Sequence, residues 1–223
     1  MFLLLILLPA LPLAAPAQPG GTPSLDVRLL RQLYRADLPG LDTYLYAVDA
    51  TAYPVFFGGP GLAWGYAFAA GDRHDRAAAY RLSVSVLATT ASVLAIKHLV
   101  RRPRPYAVLP DVRARVGTHR RYPEPVRDPY AFPSGHAALA FAVAVSWSLS
   151  HPRAYVVAPG LIWAASVSLS RVRFGVHYPS DVLAGAALGT GLAVLLHLAR
   201  DTLAPPGLRA SKALPPLYLR IGF

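Results

Sequence analysis

What most constrains this chain is a run of apolar blocks cut by charged or proline-rich connectors. Residues 50–71 hold no charged side chain, and further apolar blocks follow at 82–96, 137–150, 154–170 and 182–199. A helix needs about twenty apolar residues to cross a bilayer. The first block has that length, although Pro54, Pro60 and several glycines interrupt it. The others reach it only by taking in polar residues at their ends, such as Lys97 and His136. The pattern predicts an all-α chain, a transmembrane helical bundle with about five spanning helices. A soluble bundle of short helices is the competing architecture. Hydrophobic residues at 54% and a mean hydropathy of +0.38 favour the membrane.

The flanks differ from this body. Residues 1–17, MFLLLILLPALPLAAPA, have the leucine-rich core of a signal peptide or an N-terminal anchor. Ala15-Pro16-Ala17 offers an A-x-A-like cleavage site, although no Lys or Arg precedes the core. Residues 18–49 form a second segment with an amphipathic helix over 24–35, where Leu25, Leu29 and Leu33 recur every fourth residue with Leu30 and Tyr34 beside them. Ser24 suits its N-cap, and Pro39-Gly40 marks its end. Such a helix packs on the bundle or lies on a membrane surface. Residues 50–200 are the helical body, and 201–223 a Pro-rich tail.

The net charge of +11 comes from twenty arginines and two lysines against eleven acidic residues. Nucleic acid is not the expected partner: the arginines lie in loops between apolar blocks, in no recognised nucleic-acid-binding pattern. Anionic lipid or a phosphorylated substrate remains. The absence of cysteine removes a disulfide framework and a thiolate nucleophile.

If the blocks are helices, alternation places the end of block 82–98, the start of 136–150, the end of 154–170 and the start of 182–199 on one face. That face collects three clusters: KHLVRRPRP with Lys97 and Arg104, PSGH with Ser134, Gly135 and His136, and SRVRFGVHYPSD with Arg171, His177 and Asp181. Each has an ordinary explanation. A lysine at a membrane helix end snorkels, a Ser-Gly pair caps a helix, and a His–Asp pair is a structural hydrogen bond. Their joint placement suggests a site instead. Lys97, Arg104 and Arg171 would converge on a multiply charged oxyanion. Ser134 and Gly135 lead into a helix whose first N–H groups bind anions. Asp181 can hold His177 in the tautomer with a free nitrogen, which leaves His136 to donate a proton. There is no H-E-x-x-H and no Asp/Glu cluster, so neither a metal nor another cofactor is expected.

Lys-x6-Arg-Pro, Pro-Ser-Gly-His and Ser-Arg-x5-His-x3-Asp, in that order, resemble the motifs of the type 2 phosphatidic acid phosphatase family. Its superfamily also holds bacterial class A acid phosphatases and vanadium haloperoxidases. The resemblance covers about residues 97–185 directly, with every motif position matched. It implies a phosphatase with its catalytic domain at 50–200, acting on a lipid phosphate or diphosphate such as a phosphatidate, phosphatidylglycerophosphate or polyprenyl diphosphate. It implies that His177 is the nucleophile that forms a phosphohistidine, that Asp181 orients it and that His136 protonates the leaving group. Lys97, Arg104, Ser134, Gly135 and Arg171 would bind the phosphate. A soluble periplasmic acid phosphatase and a vanadium-dependent haloperoxidase are the other enzymes such a pocket serves. A non-enzymatic lipid-binding module would predict decay of some motif residue, and none has decayed.

The expected setting is a bacterial-type inner membrane, with membrane lipids around a multi-pass chain and the active site facing the periplasm or exterior. The signal segment and the alternation of helix ends carry that orientation. Counting positive charge does not: loop 101–132 carries eight arginines, and segments 72–81, 151–153 and 200–223 together carry eight Lys or Arg.

Overall fold

A computed structural model describes residues 23–70, 72–115 and 129–208. The expected signal segment 1–17, the middle of loop 101–132 and most of the tail lie outside the described residues. Every element among the described residues is helical: α1 Leu25–Arg35, α2 Leu41–Tyr53, a π-helical turn Pro54–Gly58, α3 Gly59–Ala70, α4 Arg73–Val100, α5 Pro105–Val108, α6 Gly135–Ser150, α7 Ala154–Arg173, α8 Pro179–Leu198, and the short α9 Arg200–Leu203 with a 3-10 turn Pro206–Leu208. The all-α class read from the sequence is the observed one.

Among the described residues, three stretches are long and apolar enough to cross a membrane: Arg73–Val108, which begins with α4, then α7 and α8. Five spans are expected from the sequence; by length and composition α6 is a shorter apolar helix, and the block at 50–71 lies in the run Leu41–Ala70, which is not among the three. That run stays helical through Pro54 because a π turn absorbs the missing N–H. It begins at Leu41, so the boundary expected between residues 49 and 50 falls inside α2. Large apolar side chains face outward on these helices, among them Leu62, Phe68, Leu87, Ile162 and Leu183, each more than 60% exposed. A water-soluble bundle hides such a surface; a lipid-embedded one presents it.

The centre of the bundle is α6, which packs on α4, α7 and above all α8. Its buried positions are all Ala or Ser, from Ala137 to Ser150, so neighbouring backbones come close. The α6–α8 contact depends on two glycines. A Cβ at Gly185 would sit 2.4 Å from the Ser134 carbonyl oxygen, and one at Gly189 would sit 2.0 Å from that of Ala138. This contact fixes the start of α6 against the start of α8, where two of the sequence clusters lie.

Helix α1 begins as expected, with the Ser24 side chain accepting from the Val27 N–H at 3.4 Å. The leucine stripe does not face the core. Leu30 is buried, packed with Val27 and Tyr34 over Val112, Val172 and Tyr178, whereas Leu25, Leu29 and Leu33 point outward. The helix is therefore apolar on two faces, and one of them holds it to the bundle.

Candidate active site

Four chain segments meet at one end of the bundle. Helix α4 ends at Arg101, whose left-handed backbone (φ 49°) turns the chain back on itself. That reversal brings Arg102 and Arg104 over the start of α8. Ser134 precedes α6, and Arg171 lies in the last turn of α7. From there the chain reaches His177 through Gly175, at φ +71°. A side chain at Gly175 would meet Val112 and the Arg113 carbonyl within 3 Å, so the turn that presents His177 requires glycine. Pro179 at the start of α8 has the φ the first turn needs.

The His177 ring is 2% exposed. Its Nε2 lies 3.4 Å from an Arg104 nitrogen, and its Nδ1 lies 3.7 Å from Asp181 Oδ2. The His–Asp pair is thus an electrostatic contact longer than a hydrogen bond. Burial first, then the positive charges of Arg104, Lys97 and Arg171, pushes the His177 imidazole well below its ordinary pKa of 6.5. Both effects favour the neutral form of the ring.

Asp181 is fully buried and committed elsewhere. Its Oδ1 accepts from Arg102 at 2.6 Å, and its Oδ2 accepts from the Tyr178 N–H at 2.8 Å. Arg102 also donates to Asp26 of α1 at 2.7 Å and to the Ser180 hydroxyl at 2.7 Å. Asp26 in turn accepts from the Ser180 N–H and hydroxyl. Asp26, Arg102 and Ser180 carried no signal in the three motifs. Only the charge inside RRPRP and the acidic first turn of α1 hinted at them.

Lys97 donates to the Tyr130 carbonyl. Arg171 donates to Asp49 of α2 at 2.5 Å, and the Ser170 hydroxyl reaches the same carboxylate at 3.0 Å. Asp49 is another residue sequence reasoning missed; its clue was a lone carboxylate beside the uncharged block. His136 sits edge-on to Tyr53 and Phe56, at ring distances of 5.0 and 5.7 Å. It interacts electrostatically with Arg171, Asp49, His177 and Arg104. Ser134 is fully buried; its N–H donates to the Asp181 carbonyl at 2.9 Å, and its hydroxyl has no hydrogen-bond partner among the described residues. It is therefore not the side-chain cap that the ordinary reading supposed. Gly135 leaves room for a Cβ, whose nearest neighbour would be Val93 at 3.5 Å. Among the described residues, no group of three or more His, Asp or Glu is placed to hold a metal ion.

The structure thus gathers two histidines, three cations, a helix N-terminus and an unpaired buried hydroxyl at one end of a membrane bundle. Such a set defines the class of proteins that bind a small oxyanion beside an imidazole. The family model of the PAP2 superfamily matches residues 78–204, and the chain belongs to that superfamily.

Among curated proteins, an undecaprenyl-diphosphatase from Sulfolobus acidocaldarius is 43% identical over 72 residues, covering 32% of this chain and 34% of that one. The chain spans between about a third and about half of the length of the first curated relatives it matches. Among solved structures, LpxE of Aquifex aeolicus superposes with a TM-score of 0.62 at 26% identity, covering 78% of this chain and 95% of that one. A transmembrane PAP2-type phosphatidylglycerolphosphate phosphatase from Bacillus subtilis shares the fold, with a TM-score of 0.59 at 21% identity over 80% of this chain and 86% of that one.

Proposed function

We propose that this protein is a membrane phosphatase that hydrolyses a lipid phosphate or diphosphate through a phosphohistidine on His177, without a metal ion. The observation that carries this reading is the buried His177 ring, whose Nε2 lies 3.4 Å from Arg104, with Lys97 and Arg171 close enough to act on it. With the Nδ1 proton directed to Asp181, Nε2 keeps its lone pair for attack on phosphorus. The N–P bond forms as the bond from phosphorus to the leaving-group oxygen breaks, the lipid oxygen of a monophosphate or the bridging oxygen of a diphosphate, and His136 gives that oxygen its proton. Water then attacks the phosphohistidine, His136 takes its proton, and inorganic phosphate leaves. Arg104, Lys97, Arg171, the Ser134 hydroxyl and the Gly135 N–H stabilise the charge on the equatorial oxygens. Removing one such donor from an active site costs about 2.7–4 kcal/mol in the barrier.

The lipid class is supported by the outward apolar surface and by the similarity to an undecaprenyl-diphosphatase. The test is phosphate release by purified protein from phosphatidate, phosphatidylglycerophosphate, polyprenyl diphosphate and a water-soluble ester. Turnover of the soluble ester alone would defeat the lipid reading. We place the site on the periplasmic or exterior face of an inner membrane. The chain has no cysteine, so Leu38→Cys near the site and Leu203→Cys at the other end report on this directly. Only the first should react with an impermeant maleimide in intact cells; the reverse pattern inverts the topology.

A further inference from the structure

At the end of the bundle opposite His177, the start of α4 meets the end of α8, α9 and the 3-10 turn around a cavity of about 430 Å³. Its lining includes Arg73, His74, Arg81, His197, Arg200 and Asp201. Three guanidinium groups thus face one carboxylate in the lining. The nearby Asp75 does not redress this, since its carboxylate is paired with His151 at 2.9 Å. Arg81 is 9% exposed and donates to the Ser150 hydroxyl at 3.0 Å, while its Nε is buried with no partner among the described residues. His197 Nδ1 is likewise buried and unpartnered among the described residues. His74 contacts the Ser150 carbonyl at 2.8 Å, and Arg200 donates to the His197 carbonyl at 3.1 Å.

Helix C-termini favour cations, and the ends of α6 and α8 account for part of this cluster. They leave the buried Arg81 Nε–H donor and the His197 Nδ1 unused beside open space, and three like charges close together. Three guanidinium groups that share one carboxylate around an open cavity leave an excess of positive charge, which an anion would offset. We propose that this cavity is a second anion site. It takes a phosphate group, either the headgroup of an anionic lipid from the adjoining leaflet or free inorganic phosphate. The volume lies in the usual range of small-ligand pockets, about 300–1,000 Å³, and exceeds what a bare phosphate fills. The apolar Ala77 and Leu208 in the lining suit the glycerol end of a lipid headgroup.

The experiment uses the full-length protein in neutral detergent, titrated separately with phosphatidylglycerol, phosphatidylcholine and inorganic phosphate. Bound lipid is counted by native mass spectrometry, and the thermal midpoint is followed in parallel. Arg81→Gln tests the buried donor. Arg73→Gln and Arg200→Gln, at exposed positions, test the charge without disturbing the core, and their retained phosphatase activity confirms the fold. Arg104→Gln controls for the first site. Phosphatidylglycerol should bind saturably, phosphatidylcholine should not, and each rim variant should weaken binding by roughly fivefold or more. Arg104→Gln should leave that binding intact. A response to inorganic phosphate that the rim variants abolish, with no response to lipid, assigns the site to free phosphate. Binding that ignores Arg73, Arg81 and Arg200, or no binding of any anion, overturns the proposal and leaves the arginines as helix caps.

Discussion

Asp181 stands 3.7 Å from His177 Nδ1, while Arg102 holds its other oxygen at 2.6 Å. The carboxylate that faces the nucleophile is thus anchored from behind. Arg102 divides its charge between Asp181 and Asp26, so α1 reaches the site through this guanidinium as well as through Ser180.

Asp26→Asn should therefore act on His177 without touching substrate. Arg102 would lean wholly on Asp181 and weaken its pull on the imidazole. We expect kcat to fall by about tenfold, equivalent to about 1.4 kcal/mol, with KM little changed. Arg102→Ala should be worse, because leaving a buried charge unpaired costs about 3–5 kcal/mol in stability. Steady-state kinetics on both variants decide it. An unaltered kcat in Asp26→Asn would make the link purely structural.

The pH dependence follows from the direction of the His177 shift. Burial and three cations favour the neutral ring, so the base form persists below the ordinary value of 6.5. The acid limb of kcat/KM, which reports the free enzyme, should lie below pH 6.5. The same shift makes stability fall as pH drops below 6.5, where the unfolded chain takes up a proton that the folded one refuses. Removing the ring in His177→Asn should flatten that fall. An acid limb at or above pH 6.5 in wild type would mean the cations do not act on this ring.

Much of this was legible in the sequence because anion chemistry leaves short motifs. Lys97, Arg104, Ser134, Gly135, His136, Arg171, His177 and Asp181 were singled out by type and spacing, and alternating helices put them at one end. Their partners were not legible. Asp26, Asp49 and Arg102 act across more than 70 residues of chain, in contacts that only packing creates. Periodicity did not decide how α1 sits: it marked Leu25, Leu29 and Leu33 with Leu30 and Tyr34 beside them, and only packing shows that Leu30 is the interior residue. The block at 50–71 looked weakened by Pro54, and a π turn carries the helix through it.

Gly189 should not tolerate alanine. The added Cβ would fall 2.0 Å from the Ala138 carbonyl oxygen, backbone against backbone, so α6 and α8 must part. Overpacking typically costs about 1–3 kcal/mol, and this contact should reach the upper end. Ser134 and Asp181 ride on the two separated helices, so activity should fall with the thermal midpoint. Gly191→Ala, with open space around it, should change neither. Thermal melts in detergent with parallel assays check both; a stable, active Gly189→Ala would contradict the close packing.

Vanadate should inhibit competitively, because it adopts five coordination like the phosphoryl transition state and such analogues bind tightly. EDTA should leave full activity. Restoration by magnesium after chelation would point to a metal-dependent route, and halide oxidation by peroxide in the presence of vanadate would point to a haloperoxidase.

The most direct test of the central claim is to trap the intermediate with a phosphate-labelled substrate and map the label. Acid-labile, base-stable label should lie on His177 and be absent from His177→Ala. It should form slowly in His136→Ala with a lipid leaving group, by roughly 10²–10⁴-fold, and far faster with p-nitrophenyl phosphate, whose leaving group needs no proton. Label on His136, or no covalent phosphate during turnover, would contradict the account.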